Sequence, residues 1–476
     1  MMSLAKWKKV QITLLLGAAT AMVAHAQTFT TLMEFNGVDG GGVGSQMVQG
    51  ADGNIYGTTG AGANGRGSVF KLTELGWATL YSFCSLPNCA DGWGPNAGLI
   101  QARDGNFYGV TTYGGSGGQN FDGGGTLFRI GAKGALTVLY NFCSQPSCAD
   151  GMWPFGGLTQ GSDGNLYGTT QSGGDATCNR PYGCGTVYKI TLDGQFTKLH
   201  TFEFADGRGP AGNLVQGSDG NFYGTTVQGG ENGDNGTIFR ITPAGLLTTV
   251  HNFDNTTFYP LGLVLATDGN GYGTTGSGGP YGYGTVFKVT PNGALTTIYA
   301  FDGTTTGGGR GAGWLTQGTD GNLYGSDPGG TAQDIYGSIF SVTLDGALTS
   351  LHTFGGRRDG SRPLGLLLQD TNGSFYGAAT TGGSKNYGTF FTLDVGLNPF
   401  VTLVRPAEKV GETESIIGQG FTGTTSVAFN GTSASFTVVS DTFMKAIVPS
   451  GATSGYVTVA TPSGVLSSSR PFRVIP

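Results

Sequence analysis

The chain has 476 residues, enough for more than one domain, with 91 glycines, 11% charged residues and a formal net charge of −6. Glycine so far above the usual ~7%, with no G-X-Y period and with 11% aromatic residues, excludes collagen and disorder and points to a turn-rich all-β protein. Sparse, net-acidic charge offers nucleic acid no basic patch to bind.

In chain order, Lys6, Lys8 and Lys9 precede the apolar run "VQITLLLGAATAMVA", which ends in "AHA" at 24–26. This is the pattern of a secretory signal peptide over 1–26, with Gln27 as the first mature residue. The run is shorter than the roughly 20 apolar residues that a membrane span requires. The expectation is an exported protein, secreted or periplasmic and able to associate with the cell surface, with no membrane span after signal cleavage.

A repeat then sets the architecture. "ADGNIYGTT" at 51–59 returns as "GSDGNLYGTT" at 161–170, "GSDGNFYGTT" at 217–226 and "GTDGNLYGSD" at 318–327. The DGN turn begins at Asp52, Asp104, Asp163, Asp219, Asp268 and Asp320, and a degenerate seventh copy begins at Asn372. At intervals of about 50 residues, each period holds four short β-rich runs. The first full period reads "AGLIQA", "NFYGVTT", a strand such as "GTLFRIG" and a strand such as "ALTVLYNF". The last repeat lacks its fourth strand, and "TFTTLMEF" at 28–35 supplies one ahead of the first repeat. This predicts a seven-bladed β-propeller over 27–396, closed by the N-terminal strand so that no sheet edge stays open. Each DGN Asp is read as a structural turn residue, with Gly free to take positive φ and Asp able to bond nearby backbone.

The phrase "DGNLYGTT…GG…GTVYKIT…G…TKLHTF" resembles the GloVer tandem repeat of bacterial choice-of-anchor proteins, and the resemblance covers nearly all of 28–394. More distantly, the repeats are similar to those of streptogramin lyase, a seven-bladed propeller. That resemblance implies a His and Glu site with a metal near the ring centre, but no matching catalytic motif is present, so the activity is not carried over. The family name implies varied C-terminal anchors; this chain instead reads "FRVIP" at its end. From 397 to 476 the repeat gives way to short alternating strands at sandwich spacing. Pro406, Gly411, "GQGF" at 418–421, Pro449 and "SGYVTVATPSG" resemble an IPT/TIG domain, which implies an immunoglobulin-like spacer or binding unit.

Six cysteines fall in short local pairs: Cys84 with Cys89, Cys143 with Cys148, and Cys178 with Cys184. On an exported chain these read as three disulfide staples in preference to a zinc site, which favours C-x₂-C spacing and accompanying His. His200, His251 and His352 occupy one repeat position, where other copies carry Tyr81, Tyr140 and Tyr299, so they form separate half-buried positions and not one constellation. "GGSGG" at 114–118, with Ser116, lacks the strand-to-helix elbow of a hydrolase. "GAGANG" at 60–65 opens onto a strand and has no helix terminus to hold a pyrophosphate. No cofactor and no metal site are expected, although the acidic glycine loops 229–236 and 120–125 are where a structural calcium ion would find oxygen ligands.

In a propeller the tight turns crowd one face and the long, variable connections crowd the other. The cysteines lie in those long loops, and so do the aromatic candidates for ligand contact: Trp93, Tyr113, Phe121, Trp153, Tyr182, Tyr281, Tyr283 and Tyr387. The expected function is an exported, non-catalytic binding or surface-architecture protein whose long-loop face takes extracellular glycan or protein. The alternative is a polysaccharide lyase or glycoside hydrolase, which requires carboxylates meeting at the ring mouth.

Overall fold

The computed structural model describes residues 27–43, 46–117, 123–303, 313–329, 336–405 and 407–475. The expected signal peptide, Phe121 and Pro406 lie outside the described residues. Each repeat folds into an antiparallel sheet. The first comprises Val48–Gln49, Ile55–Thr59, Ser68–Thr73 and Gly76–Ser82, paired in that order. The next five sheets span 100–141, 159–201, 208–252, 257–300 and 316–353. The last combines residues 361–394 with Thr28–Glu34, so that Thr28 pairs with Asp394 and Glu34 with Thr389. The expected pairing of the N-terminal strand with the last repeat is thus realised.

The innermost strand is shorter than the sequence suggests. "AGLIQA" reads as a full strand, but only Ile100–Gln101 pairs. The reason is crowding: a side chain at Gly98 would meet the carbonyl oxygen of Gln46 at 2.2 Å, so the segment runs against its neighbour's backbone and not along a ladder.

Burial follows strand position. Ile55–Thr59 is buried at every residue, on both faces, whereas the outermost Leu136–Asn141 is only partly covered. Both faces are buried because neighbouring sheets pack face to face. The core is accordingly divided into clusters at the junctions between consecutive sheets. Tyr56, Val69 and Phe83 of the first sheet pack with Leu99, Phe107, Phe128 and Ile130 of the second. Phe390 of the last sheet packs with Phe35, Met47, Ile55 and Phe70 around the first.

Two devices join the sheets. On the turn side, a glutamine of every sheet but the fifth accepts from a backbone N–H of the sheet before it. Gln101 takes Ala51 N–H (2.8 Å), Gln160 takes Arg103 (3.1 Å) and Gln216 takes Ser162 (2.9 Å). Gln317 takes Thr267 (3.0 Å), Gln369 takes Thr319 (3.0 Å) and Gln49 takes Thr371 (3.2 Å), which returns the series from the last sheet to the first. On the long-loop side, a proline ring covers the glycine that opens the third strand of the preceding sheet. A side chain at Gly125 would meet Pro154 Cδ at 2.8 Å, and one at Gly185 would meet Pro210 Cδ at 2.8 Å. These glycines are required by that approach.

The repeated turn is a structural unit. In "GSDGNLYGTT" Asp163 Oδ1 accepts from Asn165 N–H (3.1 Å), while Oδ2 accepts from Asn165 Nδ2 (2.7 Å) and from the Tyr167 hydroxyl (2.8 Å). Burial first, and then the Asp163 carboxylate, push the Tyr167 hydroxyl pKa well above its usual value. The same tyrosine-to-aspartate bond recurs at Asp52, Asp104, Asp219, Asp268 and Asp320.

The C-terminal residues form two four-stranded antiparallel sheets around one apolar core that includes Ile416, Phe421, Phe429, Met444 and Phe472. This unit rests on the turn face, a placement the sequence does not reveal. Thr442 Oγ1 donates to the Ala51 carbonyl (3.3 Å), and Phe400 N–H donates to that of Thr371 (3.0 Å). Gln419 Nε2 reaches Asp370 Oδ2 (3.1 Å). Asp370 stands where Gly161 stands in the third repeat, so the degeneracy of the last copy creates an acceptor for the docked unit.

The closing strand is also held from the side: Phe29 stacks on His352 of the preceding sheet, with centroids 3.6 Å apart and planes 2° from parallel. Burial lowers the His352 pKa below its usual value, although Asp359 at 3.3 Å opposes this.

These contacts make two predictions. Asp163→Ala removes all three of the bonds this carboxylate accepts and Tyr167→Phe removes one of them; each should cost on the order of 1–3 kcal/mol, with the double variant less than additive, as read from denaturation midpoints. Because the folded His352 pKa lies below the unfolded value of ~6.5, its stabilising contribution is complete above that pH. It is lost as pH falls through the depressed folded value. His352→Tyr, which restores the residue used at Tyr81, should flatten that acid-side loss in a melting-temperature series from pH 7 to pH 4.

Candidate functional site

The long-loop face begins with two near-identical loops, "FCSLPNCADG" and "FCSQPSCADG". Disulfides join Cys84 to Cys89 and Cys143 to Cys148, and a third joins Cys178 to Cys184, as the pairing in sequence suggests. Within each of the first two loops a fully buried aspartate gathers the backbone. Asp91 accepts from Tyr81 Oη (2.8 Å), Ser85 N–H (2.9 Å) and Leu86 N–H (3.2 Å). Asp150 does the same for Tyr140, Ser144 and Gln145. His200 occupies the tyrosine position in the next sheet and meets Asp206 at 2.8 Å. The histidines therefore act one per loop, as spacing indicates, but His200 and His352 each have an aspartate partner that position in the repeat alone does not disclose.

The residue before each junction proline takes a left-handed backbone: Gly94 (φ 67°), Trp153 (58°), Gly209 (65°), Tyr259 (60°) and Arg362 (56°). Three of the five are not glycine. A left-handed L-residue costs about 1–2 kcal/mol, and a following proline disfavours that region further. The conformation is imposed by the junction, where Trp153 N–H donates to the Gly124 carbonyl (2.9 Å), Tyr259 to Asn235 (3.1 Å) and Arg362 to Tyr336 (2.7 Å). The scaffold thus holds three large side chains, under strain, at one repeat position on the loop face.

Around Trp153 the sequence candidates converge. Trp93 stacks on Tyr113 (centroids 4.3 Å), Tyr113 meets Trp153 edge-on (6.3 Å) and Trp153 meets Tyr182 (5.5 Å). The Arg66 guanidinium lies 4.4 Å over the Trp93 ring, extending the row by one cation. Four of the eight predicted contact residues thus form one aromatic row across the loops of the first three sheets. Each of the three disulfides closes a loop that carries or leads into it. Trp153 Nε1 is buried without a hydrogen-bond partner, leaving a donor unsatisfied within the row. Tyr182 is 49% exposed at its outer end.

The remaining candidates sit elsewhere. The Tyr283 ring covers Gly303 and the Tyr387 ring covers Gly37, each within 3 Å of where a side chain on that glycine would begin. Tyr281 stands alone at 60% exposure. In the acidic loop 229–236, Asp234 is engaged by Arg208 (2.8 Å) and Gly229 N–H (2.7 Å). Among the described residues no group of three or more His, Cys, Asp or Glu side chains is placed to hold a metal, and no helix is long and apolar enough to cross a membrane.

At the ring centre, Asn213 of the fourth sheet donates to Gln46 beside the first (2.6 Å) and accepts from Gly157 N–H of the third (2.6 Å). Such sheets, cyclically joined, define a β-propeller-like tandem-repeat protein. The model of the Gloeobacter/Verrucomicrobia repeat matches residues 16–180, 117–275, 149–334 and 259–433, and the chain belongs to that family. No curated protein sequence matches it. Among solved structures, the chain is similar to a gluconolactonase from Xanthomonas campestris, with 15% identity over 56% of this chain and 78% of that one and a TM-score of 0.34. A provisionally assigned glucose dehydrogenase from Thermus thermophilus aligns with 13% identity over 62% of this chain and 95% of that one, with a TM-score of 0.39. Likeness at that level transfers nothing of either activity.

If the disulfides hold the row in place, Cys143→Ser with Cys148→Ser should cost on the order of 2 kcal/mol. It should also red-shift tryptophan emission as Trp153 gains water, and expose 143–153 to proteolysis.

Proposed function

We propose that the chain is an exported, non-catalytic binding protein: a seven-bladed β-propeller carrying an IPT/TIG-type immunoglobulin-like unit, whose long-loop face takes an extracellular glycan. The observation that carries this reading is the braced aromatic row of Trp93, Tyr113, Trp153 and Tyr182. Rings held rigid by stacking and by disulfides lose little freedom on binding, and their apolar edges beside an unsatisfied N–H suit a sugar's mixture of C–H faces and hydroxyls. The carboxylates of the first two cysteine loops, Asp91 and Asp150, are buried and committed to those loops, so they are not presented as an acid and base to a bound chain. The three disulfides fit an extracellular or periplasmic setting.

The test is Trp153→Gly. A tryptophan that only fills space would cost about 3–5 kcal/mol when removed. Here glycine relieves the left-handed backbone, so the melting temperature should hold or rise while retention on a glycan array falls at least tenfold. Unchanged glycan binding, or wild-type capture of a protein and no glycan, would overturn the assignment.

A further inference from the structure

We propose a second binding site, on the turn face between the fourth and fifth sheets, for a small amphipathic anion with an extended aliphatic body. The repeat supplies its own control. At six junctions the glutamine latch is present; at this one Leu265 replaces the glutamine. Three residues after the DGN Asp the other copies place Ile55, Phe107, Leu166, Phe222, Leu323 and Phe375, all buried, whereas this copy places Gly271. Tyr56 stacks on Phe107 (4.0 Å), Tyr167 on Phe222 (3.9 Å) and Tyr324 meets Phe375 (4.2 Å), but Tyr223 faces Gly271 and has no ring to meet. The buried cluster at this junction holds only Ile238, Phe253, Phe287 and Val289.

What the two substitutions leave is a cavity of about 410 Å³, in the size range of small-molecule sites. Ile238, Val250, Leu263, Leu265 and Val289 form its walls, on two sheets packed face to face. Such a space is a slot about one side chain thick, which suits an extended chain more than a bulky ring system. Its polar end is cationic. The C-terminal unit brings Arg470 and Arg473 to the rim; Arg473 is tied to the Ser218 carbonyl (2.7 Å), while Arg470 has no carboxylate partner among the described residues. Ser218 N–H, whose counterparts bond the latch glutamines, also lacks its acceptor here. Asp219 lies on the same rim, but Tyr223 (2.9 Å) and Asn221 (2.7 Å) occupy its Oδ2. A carboxylate held by Arg470 and Ser218, with its chain in the slot, satisfies every one of these groups.

The probes are decanoate and decanol, titrated calorimetrically into the full chain. Decanoate should bind one to one at micromolar Kd, and decanol at least fivefold more weakly. Gly271→Leu with Leu265→Gln restores the filled junction; Val289 Cγ1, 2.8 Å from the new Cβ, must give way, and the sixth sheet already pairs a valine, Val342, with Leu323. That variant should keep or raise the melting temperature and weaken decanoate at least tenfold. Arg470→Gln, at the surface, should weaken decanoate at least fivefold and leave decanol unchanged, which decides the matter if the filled variant does not fold. Absence of saturable decanoate binding, equal affinity for the two probes, or indifference to Arg470→Gln would overturn the proposal. Trp153→Gly should leave decanoate binding untouched, so this site and the glycan face fail separately.

Discussion

Everything in the repeat region depends on face-to-face burial between consecutive sheets. A lone four-stranded sheet with strands such as Ile55–Thr59, buried at every residue, would expose apolar surface on both sides. It is stable only when covered twice, and a cyclic order gives every sheet two neighbours. The glutamine latches at six junctions, and the proline-on-glycine contacts where they occur, then fix how pairs meet, one at the turn side and one at the loop side. Their polar atoms and close approaches specify a register that apolar contact alone would leave loose.

That division of labour separates two kinds of site. The loop-face row is made by addition: large side chains placed where glycine also fits, in a backbone conformation the junction enforces. The turn-face slot is made by subtraction, where one junction omits the groups that fill the others. The C-terminal unit contributes to the second and not to the first, because it is docked on the turn face through Thr442, Gln419 and Arg473.

The sheet order, the closing strand, the disulfide partners and the loop location of the aromatics are all legible from the sequence, because each rests on local spacing or repeat count. The short inner strand is not, since Gly98 signals crowding only once its neighbour Gln46 is known. The aromatic row required knowing that Trp93 and Trp153 belong to consecutive sheets whose loops converge, although the two occupy different offsets from their aspartates. The seat of the C-terminal unit left one trace, Asp370 in place of a small residue, which in isolation reads as repeat decay. Leu265 and Gly271 read the same way, and their effect emerges only because they fall on one junction.

Pairing Thr28 with Asp394 has a consequence for how the molecule is made. Synthesis delivers the N-terminal strand first and its partner last, so the strand waits without a sheet while nearly the whole repeat region emerges. Closing so long a loop costs only logarithmically more than closing a short one, yet it sets the order of events. The last sheet is sealed by the earliest residues of the repeat region, and a chain stalled before residue 389 cannot complete it.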